Sequence, residues 1–172
     1  ALKLAAKLSL TNRQRQQLTQ TTFENAKTKL KKQAKEKKIL TVSSKSYNQG
    51  VVGLVAGKLV EEFYKPTIVI SEDKEFSKGS VRSVKDFNII KALRSLSNVF
   101  EDLGGHPMAA GFTIRTEKIN DLKKKLEKLA KKQIKNDMLQ PKINVDLTLD
   151  LTNISWDFYN KLDKFSPFGL GN

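Results

Sequence analysis

The sequence predicts an α/β protein: a mixed β-sheet packed with helices, preceded by a long connector helix and followed by the start of a small β-containing region. Three observations predict it. Short apolar runs at 39–43, 67–70 and 112–114 have the length and β-branched content of strands. Stretches of helical periodicity alternate with them, the ordering of an α/β layer. A long polar helix-forming stretch precedes the first run, and a period-two alternation at 143–151 follows the last.

The elements follow in order. Thr11-Asn12-Arg13-Gln14 has the form of a capping box, so the first helix is expected to begin at Thr11. Behind it Leu18, Thr22, Ala26, Leu30 and Ala34 recur every four residues, with Phe23 beside them. So thin an apolar stripe suits a connector between domains better than a core element. Residues 1–7 lack an uninterrupted apolar stretch and read as the tail of something upstream, not as a signal peptide. A buried strand is expected at 39–43 and a helix at 51–64. That helix contains Gly53, Ala56 and Gly57. Each glycine costs about 1 kcal/mol of helix propensity, so small residues on adjoining turns point to close packing against a strand or backbone.

Pro66 stops this helix and 67–70 is a second strand. After a charged turn at 72–78, residues 79–84 form a third strand. Asp86 is expected to cap a helix bearing Ile89, Ile90, Leu93, Leu96 and Phe100. A run of small residues at 104–111 leads into a strand at 112–114, and 117–138 is a basic amphipathic helix carrying Ile119, Leu122, Leu126, Leu129 and Ile134. Pro141 ends it and marks a boundary. Ile143, Val145, Leu147, Leu149 and Leu151 alternate as in a half-buried strand. Residues 156–165 form a short helix, and 167–172 a turn-like segment.

Composition bounds the chemistry. With 172 residues, 38% hydrophobic and 29% charged, the chain can bury a core without disulfides or metals. No apolar run approaches the ~18–20 residues that cross a bilayer, and no aromatic belt equips the basic helix to lie on one. The absence of cysteine removes disulfides, thiolate nucleophiles and cysteine-type zinc sites, and fits a cytoplasmic protein. The single histidine, His106, rules out multi-histidine metal sites. Asp146 and Asp150 read as the solvated side of a strand, far sparser than a hydrolytic metal cluster. The net charge of +14 points to polyanion partners. Much of it lies at 27–38 and 118–135, where a solvated helix face and nucleic-acid contact stand about equal on charge alone.

Two segments resist explanation as packing. In Gly79-Ser80-Val81-Arg82-Ser83, Ser80 and Arg82 share one face of a strand, placing a hydroxyl beside a guanidinium suited to gripping phosphate. Alone, that pattern is also ordinary surface charge. In Gly104-Gly105-His106-Pro107-Met108-Ala109-Ala110-Gly111, dense small residues let a ligand approach the main chain, and His106 is held on a rigid turn. It is neither a Walker nor a Rossmann motif.

Together with the helix Gly50-Val51-Val52-Gly53-Leu54-Val55-Ala56-Gly57 and the strand Lys65-Pro66-Thr67-Ile68-Val69-Ile70, these segments resemble, in content and order, the RecJ-like single-stranded-DNA-specific exonucleases of the DHH phosphoesterase superfamily. The segment Gly-Gly-His-x-x-Ala-Ala-Gly marks the wider superfamily, and the glycine-spaced helix and Gly-Ser-x-Arg-Ser strand narrow it. Such enzymes hold Mn2+ or Mg2+ in an N-terminal DHH domain, whose motif is not in this chain. The resemblance implies three parts: 1–38, a connector helix from that catalytic domain; 39–138, the DHH-associated substrate-binding domain; and 139–172, the start of an OB-fold-type region. It implies that Ser80 and Arg82, with Ser83 nearby, bind the 5′-phosphate of single-stranded DNA in repair and recombination. It also implies that Gly104, Gly105 and catalytic His106 face the scissile phosphate, with Ala109, Ala110 and Gly111 completing the substrate-binding segment. No metal is expected on this chain, which alone is expected to be inactive. Two other readings are a DHH phosphoesterase acting on oligoribonucleotides or cyclic dinucleotides, and a non-catalytic partner-binding module. Tyr47, Phe76 and Phe87 are as readily loop anchors as stacking aromatics.

Overall fold

The structure, a computed structural model, describes residues 1–143 and 145–169. It divides into two units, Ala1–Gln140 and Pro141–Asn172. In the first, helix α1 (Leu2–Glu36) leads into strand β1 (Leu40–Ser44), helix α2 (Val52–Phe63), β2 (Thr67–Ser71) and β3 (Phe76–Arg82). Helix α3 (Ile89–Arg94), β4 (Asp102–His106), β5 (Ala109–Arg115) and helix α4 (Ile119–Gln133) follow. The strands form one sheet in the order β1-β2-β3-β5-β4. β1 and β2 run parallel across the α2 crossover, and the remaining pairs are antiparallel.

Strand alternation sends the two faces to different cores. On one face Val69 joins Val55, Ala56 and Leu59 of α2, and Phe23, Ala26 and Leu30 of α1. On the other, Ile68, Ile70, Val81, Phe112 and Ile114 meet Ile89 and Leu93 of α3 and Leu122 and Leu126 of α4. The sheet is therefore the shared wall of two apolar layers, each stabilised by area removed from water at about 25 cal/mol per Å².

Several elements differ from the sequence expectation for identifiable reasons. α1 starts nine residues before Thr11, whose hydroxyl bonds the Lys7 carbonyl one turn back (3.0 Å) and caps nothing. The second half of α1 is core: Phe23, Ala26 and Leu30 are buried against α2 and β1, while Leu18 stays exposed. Asn88, not Asp86, caps α3 by accepting from the Lys91 N–H (3.1 Å), and the helix ends at Arg94, short of Leu96 and Phe100. The run 104–111 does more than lead into the strand expected at 112–114. It is the β4–β5 hairpin, turning at Pro107 and Met108.

In the second unit, 3-10 turn Leu151–Asn153 and helix α5 (Trp156–Asp163) are regular, the latter capped by Ser155 accepting from the Phe158 N–H (3.2 Å). The alternating segment at 143–151 forms no strand among the described residues, and Ile143, Leu147 and Leu151 are exposed. Alternation needs a partner strand to become a ladder, and none is present in this unit's described residues. Of the turn expected at 167–172, residues 170–172 lie outside the described residues.

Candidate functional site

The site is built on the α1/α2 face of the sheet, where α2 covers only part of the strands. The β3 pattern places Lys78, Ser80 and Arg82 on this face, with Ser77, Gly79 and Val81 buried beneath. Arg82 donates to the Ser80 hydroxyl (3.2 Å) and to the Val81 carbonyl (2.9 Å), which fixes its guanidinium beside that hydroxyl. The first turn of α2 stands directly above. A Cβ on Gly53 would lie 3.0 Å from the Ser80 Oγ and 3.3 Å from the guanidinium, so a side chain there would press the hydroxyl and the guanidinium out of their places by a few tenths of an ångström. Val51 at the N-cap supplies no side-chain acceptor, so the α2 first-turn amides are left for solvent or an anion. Together these groups border a cleft of about 650 Å³ that runs from Gln49 and Gly50 across β3 to Gly111, Thr113 and Asp102.

The hairpin completes the surface. Register pairs Ser80 with Gly111 and Gly111 with Gly104; one step along, Arg82 pairs with Ala109 and Ala109 with His106. Arg82 and exposed His106 thus lie in one row, two strand spacings or about 10 Å apart. In the neighbouring row Gly111 and Gly104 carry no side chains next to Ser80, a bare shelf alongside the line that runs from Arg82 through Ala109 to His106. On the far side, Lys78 pairs with Thr113 and Thr113 with Asp102.

Of the residues singled out from sequence, Ser80, Arg82, Gly104, His106, Ala109 and Gly111 share this face. Three do not. Ser83 is buried and donates to the Phe87 carbonyl (2.7 Å), while its N–H bonds Met108. Ala110 is buried in the opposite core. Gly105 alternates to that opposite side, where its φ of 152° and the closeness of Ala109 and Ala110 require glycine. Lys78, Gln49 and the α2 N-terminus were missed. Lys78 is the i−2 neighbour of Ser80 on a strand that begins at Phe76, three residues before the expected start at Gly79. Among the described residues no group of three or more His, Cys, Asp or Glu side chains gathers as a metal site, so these residues do not fit a resident divalent cation.

Comparison with known proteins places the chain in a family. The DHHA1 domain matches residues 35–132, more than half of the chain. The chain belongs to the DHHA1 domain family. This DHHA1 domain and its flanks are 34% identical, over the whole chain, to the single-stranded-DNA-specific exonuclease RecJ of Bacillus subtilis, of which they cover 22%. Two solved structures share the fold. RecJ from Thermus thermophilus in complex with Mn2+ matches 75% of this chain and 19% of its own, with TM-score 0.67 and 27% identity. A manganese-bound exonuclease RecJ matches 77% of this chain and 32% of its own, with TM-score 0.65 and 29% identity. The chain spans about a fifth of the length of the curated relatives it matches. No helix among the described residues is long and apolar enough to cross a membrane.

Proposed function

We propose that this DHHA1 domain is the substrate-gripping part of a RecJ-like 5′-to-3′ single-stranded DNA exonuclease. One observation carries the reading: the Arg82 guanidinium and Ser80 hydroxyl meet the uncapped N-terminus of α2 across Gly53. Cation, hydroxyl and helix amides converge there on a volume that suits a phosphate, with Lys78 adding positive charge along the same strand. The 5′-terminal phosphate binds in this grip. One nucleotide spans from there toward His106, and the Gly104–Gly111 shelf lets its sugar and backbone approach the sheet.

His106, exposed at the hairpin tip, orients a phosphoryl oxygen of the scissile bond by donating a hydrogen bond. An N-terminal DHH domain of the same protein supplies the Mn2+ or Mg2+ that hydrolysis requires. The work of this chain is binding and orientation, which sets which bond is presented for cleavage.

The test is fluorescence anisotropy with a short single-stranded DNA bearing either a 5′-phosphate or a 5′-hydroxyl, over a salt series. The phosphorylated strand binds more tightly. Arg82→Ala removes that preference, a loss of roughly 10- to 150-fold for a hydrogen-bonded charge. Equal binding of both strands by the unaltered chain overturns the grip.

A further inference from the structure

The three aromatics left open by the sequence are separated by the fold. Tyr47 and Phe87 are 3% and 5% exposed and serve as anchors, Tyr47 donating its phenol to the Asn25 Oδ1 (2.9 Å). Phe76 is 39% exposed. It opens β3 on the same face as Lys78, Ser80 and Arg82, so an aromatic ring ends the column that begins with the phosphate grip. Its partner across the ladder, Arg115, holds its guanidinium 5.4 Å from the ring centroid and is itself tied to Glu101 (3.2 Å). The ring is thus steadied from one side and open elsewhere.

Phe76 borders a second cleft of about 350 Å³ with Lys45 and Asn48. Gln49 and Lys78 line both clefts, so the two adjoin. Glu72 and Asp73 also border it, and an Asp73 carboxylate oxygen is taken by the Lys74 N–H (2.7 Å). Near-balanced charge of this kind suits an uncharged base more than a second phosphate.

We infer that Phe76 is a base-stacking platform for single-stranded nucleic acid, positioned by Arg115 and joined to the phosphate grip through Lys78. The inference rests on the phosphate-grip reading above and extends it from an end pocket to an oligonucleotide track. Phe76 and Arg82 are the two ends of the seven-residue strand β3, six steps or about 20 Å apart, too far for one nucleotide to reach both. A strand leaving the His106 corner crosses the bare Gly104–Gly111 shelf diagonally to arrive at Phe76. Aromatic rings beside a cationic groove are the usual means of holding single strands without reading sequence.

The experiment compares the unaltered chain with Phe76→Ala, Phe76→Trp and Arg82→Ala. The ligands are thymidine 5′-monophosphate and a 5′-phosphorylated pentanucleotide carrying 2-aminopurine at each position in turn. Phe76→Ala should weaken the pentanucleotide by roughly 5- to 150-fold, abolish the stacking quench at one position and leave the mononucleotide unchanged. Phe76→Trp should retain both binding and quench. Unchanged pentanucleotide binding and quench in Phe76→Ala overturns the platform, as does an equal loss for both ligands. If Phe76→Ala weakens only the pentanucleotide while Arg82→Ala weakens neither ligand, the platform stands and the phosphate grip falls.

Discussion

At the scale of single residues, the motif around β3 divides into groups that face the cleft and groups that hold the strand. Ser80 and Arg82 present themselves to the cleft, whereas Ser83 spends its hydroxyl proton on the Phe87 carbonyl inside the protein. Ser83→Ala should therefore lower stability by about 1–3 kcal/mol, the cost of leaving a buried acceptor unpaired, with no change in 5′-phosphate preference. Urea unfolding measures the first and anisotropy the second; a lost preference in a folded variant would return Ser83 to the site. Period-two spacing made Ser80 and Arg82 legible, because i and i+2 share a face wherever the strand is regular. The same parity sets Ser83, one position beyond the end of β3, with Val81 on the buried side, where its N–H bonds the Met108 carbonyl.

At the scale of elements, legibility followed the strength of local signals. Pro66 followed by Thr67 and three β-branched apolar residues located β2 to within a residue, and β1 and α2 were equally plain. The β4–β5 hairpin was hidden because Gly104, Gly105, Ala109, Ala110 and Gly111 are poor strand formers, and their extended state is imposed by the ladder to β3. The start of α1 was hidden by a capping-box pattern that recurs by chance inside a helix. The end of α1 holds a second device invisible in sequence. Lys65, just after α2, donates to the Ala34 and Lys37 carbonyls (2.7 Å each) and so satisfies acceptors at the end of α1. Burial lowers its pKa, yet no other cation replaces these bonds in the described contacts. Lys65→Met should destabilise the chain by about 1–3 kcal/mol and fray the last turn of α1, visible as lost amide protection near Ala34.

At the scale of the whole molecule, pH reports on the core shared by α1, α2 and the sheet. Tyr47 lies in that core, and burial pushes its phenol up from 10 to about 12. Between those values the unfolded chain has released the phenolic proton while the folded chain keeps it. The contribution is therefore complete below about pH 10 and is lost as pH rises toward 12. Tyr47→Phe should remove this decline, and the difference between the two proteins in urea unfolding from pH 9 to 12 isolates it from the lysines that titrate nearby. A decline of equal steepness in the variant would show that the phenol is not its source.

One feature of β3 governs what kinds of genetic change the molecule tolerates. Its even-numbered residues, Phe76, Lys78, Ser80 and Arg82, face the clefts, and its odd-numbered residues, Ser77, Gly79 and Val81, are buried on the other side. The cleft lining and the core are thus written on one strand by parity. Losing a single residue within it exchanges the two sets, burying lysine and arginine and exposing the core, whereas losing two preserves the sense of every remaining position. Insertions and deletions of odd length in β3 are excluded here even where each individual substitution is accepted.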